Sequence, residues 1–197
     1  MSVRGVLQVH SAPPALCPHI EWAVAGIIGV PVRLSWVDQP ASPGTLRAEL
    51  DWQARPGTSA TITSALAAWH RLRFEVTEEA SPGCDAVRYS YTPTLGTFSA
   101  VTSACGDILI PEGRLRAAML LAAASAPGPP GRSQGDAPAA SQDLDTLRDA
   151  HGPRHPALGG SLEAELKLLL GQPWDDELEP FRHAADGAPV RWLHATG

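Results

Sequence analysis

Arg4-Gly-Val-Leu-Gln-Val-His10-Ser-Ala-Pro-Pro-Ala-Leu-Cys17-Pro-His19-Ile-Glu21-Trp-Ala-Val-Ala-Gly-Ile-Ile-Gly29-Val-Pro-Val32-Arg-Leu-Ser-Trp36-Val-Asp38 is the stretch whose reading decides the fold. Arg4–His10 reads as the first strand, and its run Val6, Leu7, Val9 is more continuous than alternating, which suits a central strand covered on both faces. Ser11 to Pro14 break it. Pro18 fits a first helical turn, where a missing N–H costs nothing. Ile20, Ala23, Val24, Ile27 and Ile28 then repeat at helical spacing. Gly29 is placed for a left-handed cap, and Pro31 bars continuation. Val32, Leu34 and Trp36 alternate with Arg33 and Ser35, so residues 32–37 read as a second strand.

Working outward, Leu46, Ala48, Leu50 and Trp52 alternate cleanly with Arg47, Glu49, Asp51 and Gln53, which predicts a third strand and a hairpin. The register puts Trp52 on a helix-covered face. Thr58 or Ser59 can cap a helix carrying Ile62, Leu66 and Trp69. A fourth strand follows through Leu72, Phe74 and Val76. The order β-α-β-β-α-β is that of the split β-α-β, or ferredoxin-like, arrangement, whose usual strand order is 4-1-3-2. Alternating runs at 87–91, 97–103 and 108–110 extend it as an antiparallel meander, and Glu112 opens a further helix. The fold class is therefore read as α+β.

Gly and Pro number 18 and 19 among 197 residues and crowd into 126–160. That segment reads as a linker, with a short helix at 143–150. The expected division is a core domain at 1–125, a linker at 126–160 and a C-terminal helical and acidic appendage at 161–197 that packs on the core. Ser161, with Glu163 and Glu165 in the first turn, begins a helix with Leu162, Leu166, Leu169 and Leu170 on one face. Residues 189–194 read as a short strand.

The formal net charge is −6. Residues 1–125 carry nine Arg against ten carboxylates; residues 126–197 carry six cations against eleven. No basic stripe exists, which argues against a nucleic-acid or anionic-membrane partner. The longest apolar stretch is far short of the ~20 residues that span a bilayer. Three cysteines without Cys-x-x-Cys spacing suggest reduced thiols in a cytoplasm, and no signal peptide is read at the N-terminus.

Three groups of residues invite a functional reading. His10, Ser11, Cys17, His19 and Glu21 lie close in sequence. Cys17 at a helix start would have a lowered pKa, with His10 or His19 as its base. The bland alternative is that His10 ends a strand, Ser11 caps a turn and Cys17 is a small buried apolar residue. The spacing matches no structural zinc site, and no metal or cofactor is expected. A second group, Arg33, Arg47, Glu49, Asp51, Arg73, Glu75 and Arg88, forms a charged sheet face, either solvated or open to an anionic ligand or a partner. The third is Trp174, Asp175, Asp176, Phe181 and Trp192. These aromatic and acidic residues suit docking on a protein partner or packing back on their own domain.

Further motifs carry a resemblance. They are Val9-His-Ser-Ala-Pro with Ala15-Leu-Cys-Pro-His-Ile-Glu-Trp-Ala, Pro43-Gly-Thr-Leu-Arg-Ala-Glu49, Phe74-Glu-Val-Thr-Glu-Glu79, Gly106-Asp-Ile108, Arg114-Leu-Arg116, Trp174-Asp-Asp-Glu-Leu-Glu-Pro-Phe-Arg182 and Val190-Arg-Trp-Leu-His194. Together they resemble an uncharacterised actinobacterial family of unknown function. The resemblance implies an intracellular accessory role linked to fatty-acid synthesis, because members often lie near genes of that process. No Gly-x-Gly-x-x-Gly, Walker, Gly-x-Ser-x-Gly or His-Glu-x-x-His motif is present. The expectation is a non-enzymatic binding or accessory protein; the alternative is an enzyme built on Cys17, His10 and His19.

Overall fold

The computed structural model describes residues 2–125 and 161–183. The linker expected at 126–160, with its helix at 143–150, and the strand expected at 189–194 lie outside the described residues. What is described is mixed α/β, with a seven-stranded antiparallel sheet and five helices. The chain groups into two compact units, Met1–Leu109 with Leu170–Gly197, and Ile110–Leu169.

In the first unit, β1 (Val3–Ala12) leads through a 3-10 turn (Pro14–Leu16) into α1 (Cys17–Ile28). Gly29 caps α1 at φ 84°, a left-handed conformation that glycine adopts without cost. Next come β2 (Val37–Asp38), β3 (Leu46–Ala54), α2 (Thr58–Ala67), β4 (Arg73–Glu78), β5 (Ala86–Thr92), β6 (Gly96–Thr102) and β7 (Ile108–Leu109). The strand order is β2-β3-β1-β4-β5-β6-β7, with every neighbouring pair antiparallel. In the second unit, α3 (Glu112–Ser125) contacts α4 (Leu162–Leu169). Helix α5 (Gln172–His183) returns to the first unit.

The strand expected over 32–37 is a correction. Only Val37 and Asp38 pair with β3. The Glu21 carboxylate of α1 accepts from Leu34 N–H at 3.0 Å and from Trp36 Nε1–H at 3.1 Å. A side chain therefore takes the Leu34 N–H that a ladder would have used, and anchors the Trp36 indole beside it. Val32 and Leu34 still enter the core, which explains the apolar alternation.

One face of the sheet carries that core. Leu7, Val9, Phe74 and Val76 meet Ile20 and Val24 of α1 and Ile62 and Leu66 of α2. Trp52 belongs to it, at 4% exposure. Its indole lies so close over Gly5 that a Cβ there would stand 2.2 Å from the ring. At the start of α2, Glu78 of β4 accepts from Gly57 N–H at 2.7 Å and from Ser59 N–H at 2.9 Å. The cap expected from Thr58 or Ser59 thus comes from a carboxylate across the fold; Thr58 Oγ1 donates to Arg55 O at 2.7 Å.

Candidate functional site: a buried ionic cluster beneath the last helix

The other face of the sheet carries charged side chains, exposed along β3 at Glu49 and Asp51 and covered where β1, β4 and β5 meet α5. Alternation along β4 sends Phe74 and Val76 to the core and Glu75 to the opposite side. There β5 supplies Arg88 and Ser90, and a register shift near the end of β1 helps present His10. Helix α5 lies over these residues. Trp174 Nε1–H donates to Gly96 O at 2.9 Å, and its ring sits 5.2 Å from that of Phe98. Leu178 is wholly buried, and Arg73 stands 4.6 Å from the centre of the Phe181 ring. This corrects the reading of a solvated charged face for its β4 and β5 members, since Glu75 is 3% exposed and Arg88 8%, while Arg33, Glu49 and Asp51 are exposed.

Glu75 is the hub. Its Oε1 accepts from Arg88 Nε–H at 3.0 Å, Arg88 Nη2–H at 2.7 Å and Ser90 Oγ–H at 3.1 Å. Arg182 of α5 reaches it twice, Nη2 to Oε1 at 2.7 Å and Nε to Oε2 at 2.9 Å. His10 Nε2 lies 2.8 Å from Oε2. Asp175 of α5 accepts from Arg182 Nη2–H at 2.7 Å and also pairs with Arg88. Two carboxylates thus face two guanidiniums, the arrangement under which buried charge is tolerated. Burial pushes the Glu75 carboxyl up, but the His10 hydrogen bond and charge, the Arg182 hydrogen bond and the Arg88 charge outweigh it, holding the group well below the usual carboxylate range. Burial likewise disfavours the Arg182 cation, yet Glu75 and Asp175 raise its pKa.

Further contacts fasten the helix. Gln39 is 1% exposed. Its Nε2–H donates to His10 O at 2.7 Å and Phe181 O at 3.2 Å, and its Oε1 accepts from Ala41 N–H at 3.0 Å. Arg73 Nη2–H meets Glu177 at 3.2 Å. Nothing in the sequence around Gln39 marked it, since its partners lie 29 and 142 positions away. The helix did leave a signal: Trp174, Leu178 and Phe181 recur at i, i+4 and i+7. Pro180, inside the helix, argued against it, whereas Pro173 falls in the first turn, where proline is tolerated.

The residues of the nucleophilic reading are placed apart. His10 is on the α5 side with Glu75. Cys17 sits in the apolar core on the other side, with Sγ 3.7 Å from Pro13 O. Burial, and then Glu21, push its thiol pKa up. His19 is exposed, and Glu21 is held by Leu34, Trp36 and Arg33. Among the described residues no hydrogen bond joins His10, Cys17 and His19. Of the aromatic and acidic group, Trp174, Asp175 and Phe181 turn toward the chain's own sheet, Asp176 is exposed, and Trp192 lies outside the described residues. Among the described residues no set of three or more His, Cys, Asp or Glu could hold a metal ion, and no helix is long and apolar enough to cross a membrane.

What the cluster can do chemically follows from its saturation. A carboxylate engaged by two guanidinium forks, a hydroxyl and an imidazole has a low pKa and little free lone-pair capacity, so it is a poor general base. It is well suited to hold a helix in one register on a sheet. No curated protein and no solved structure matches the chain. A family model described as "Protein of unknown function (DUF3145)" matches residues 6–128 and 138–195. The match spans most of the length and takes in the strands that carry His10, Glu75 and Arg88 as well as the helix that carries Asp175 and Arg182, so the chain belongs to this family of unknown function.

Proposed function

We propose that the protein is a non-enzymatic binding or accessory protein. The observation that carries this reading is the saturation of Glu75 from within the chain by His10, Arg88, Ser90 and Arg182. An acid–base site keeps a titratable group open to substrate; here a buried carboxylate held well below its usual range is closed by the protein itself. The strand order β2-β3-β1-β4 supports reading the first part of the sheet as a ferredoxin-like split β-α-β core, with β5 to β7 as an added meander and the last helices as its appendage. That scaffold is common to many functions and assigns none.

The partner in this reading is a protein of the fatty-acid-synthesis machinery in the cytoplasm, as the family resemblance implies. Affinity purification of the tagged full-length chain from its native host, followed by mass spectrometry, tests it. Enrichment of such an enzyme on this bait, and not on an unrelated tagged protein, is the expected result. Its absence, together with rapid pH-dependent labelling of Cys17, would overturn the proposal in favour of a thiol enzyme.

A further inference from the structure

Cys84 and Cys105 are both exposed, and both thiols are free. Two strands, β5 and β6, separate them in sequence, yet the sheet brings their turns to one end. Ala86 and Thr102 are the last paired residues of β5 and β6 at that end. Cys84 stands two residues before Ala86, and Cys105 three after Thr102. In the register set by Ala86 and Thr102, Cys84 falls opposite Ala104, one step from Cys105. Antiparallel partners stand ~4.5–5.5 Å apart at Cα, and one step along a strand adds ~3.4 Å at right angles to that. Continuing the register therefore puts the two Cα atoms about 6 Å apart, inside the ~4.4–6.8 Å that a disulfide spans.

Short turns hold each cysteine at the tip of its hairpin. Ser81 and Cys84 exchange backbone hydrogen bonds at 2.9 and 2.8 Å around Pro82 and Gly83, which closes the β4–β5 hairpin in a two-residue turn. In the β6–β7 hairpin, Ser103 N–H donates to Asp107 O at 2.8 Å and Gly106 N–H to Ser103 O at 3.0 Å. The Ser103 hydroxyl accepts from Cys105 N–H at 3.2 Å. The third cysteine offers no competition, since Cys17 is buried in the apolar core. Exposure lets an oxidant reach a thiol, and a neighbouring thiol resolves the sulfenic acid before it oxidises further. The two hairpin tips meet both conditions.

We propose that Cys84 and Cys105 form a reversible redox pair, which a hydroperoxide closes to a disulfide between the β4–β5 and β6–β7 turns. One thiolate attacks a peroxide oxygen. The O–O bond breaks, the sulfur becomes a sulfenic acid, and the peroxide leaves as an alcohol, or as water when it is hydrogen peroxide. The second thiol then attacks that sulfur. The S–S bond forms, the S–O bond breaks, and the hydroxyl leaves as water with the second thiol's proton. The two thiols lose two electrons, and the peroxide gains them. A dithiol reductant reverses the link by exchange. This goes beyond the binding role proposed above and does not rest on it.

Peptide mapping of the full-length chain after treatment with hydrogen peroxide tests this. Trypsin cuts after Arg73, Arg88 and Arg114, so Cys84 and Cys105 fall in separate peptides, 74–88 and 89–114. With free thiols blocked by iodoacetamide and reduction omitted, the two peptides are expected joined, lighter than their sum by two hydrogen atoms. The protein should still run as one chain of 20.7 kDa on a non-reducing denaturing gel. Dithiothreitol should release the two peptides. Cys84→Ser and Cys105→Ser change exposed side chains, so both variants should keep the wild-type circular dichroism spectrum. In each variant the remaining thiol should stop as a sulfenic acid that dimedone labels. A wild type whose two cysteines end as separate sulfenic or sulfinic acids overturns the proposal. So does a link that joins two chains, or one made to Cys17.

Discussion

Phe74 and Glu75 are neighbours in β4, yet they hold the molecule together by different physics. Phe74 faces α1 and α2 in a layer made of Leu7, Val76, Ile20, Ile62 and Leu66. Glu75 faces α5 across a cluster of two carboxylates, two guanidiniums and an imidazole. The apolar layer needs volume and tolerates exchange of one aliphatic shape for another. The ionic layer needs named partners, because a buried charge is stable only when it is paired and hydrogen-bonded. The first face builds the unit; the second decides where α5 sits.

The largest effect should come from the apolar face. Trp52→Ala or Phe74→Ala should cost ~3–5 kcal/mol in denaturant unfolding, and the loss should be spread over the whole unit. A loss below about 1 kcal/mol, the scale of surface changes, would break the contrast. Next, Glu75→Gln leaves Arg88 and Arg182 short of a charge partner and should cost about 3 kcal/mol, the lower end for a broken buried pair. A cost indistinguishable from zero would mean the cluster contributes no net stability.

The same carboxylate sets a pH dependence. Its folded pKa lies below its ordinary 4.5. Its contribution is therefore fully present above pH 4.5 and is lost as pH falls through the folded value. Stability of the wild type should drop more steeply than that of Glu75→Gln as pH is lowered past this point; parallel curves would contradict the pairing. A smaller effect attaches to the α2 cap. Glu78→Gln should cost about 1–2 kcal/mol, read in thermal unfolding, since neutral Gln is a poorer acceptor for the Gly57 and Ser59 N–H groups. The smallest concerns Cys17. With its thiol buried and its pKa raised, it should react much more slowly than the exposed Cys84 and Cys105 with an aromatic disulfide reagent. Three thiols reacting at one rate would place Cys17 outside the core.

The apolar face was legible in the sequence because its signal is local. Alternation in Leu46 to Gln53 and helical spacing in Ile20, Val24 and Ile28 each report a face within a few residues. Leu34 and Trp36 misled because Glu21 claims the Leu34 N–H and the Trp36 indole, so apolar alternation persisted without a strand. The ionic face was hidden because its signal is long-range. Glu75 and Arg182 stand 107 positions apart, and each alone reads as an ordinary surface charge. Only the fold makes them a pair. His10 was singled out for its proximity to Cys17 in sequence, whereas strand alternation gave it to Glu75 instead.

The central claim is that the Glu75 cluster fixes α5 on the sheet while the helix-covered core stands without it. Hydrogen exchange followed by mass spectrometry, comparing wild type with Glu75→Gln, tests it directly. The account predicts that backbone amides in 172–183 lose protection in the variant while those of α1 and α2 keep theirs. Unchanged protection of 172–183, or equal loss in all three helices, would contradict it.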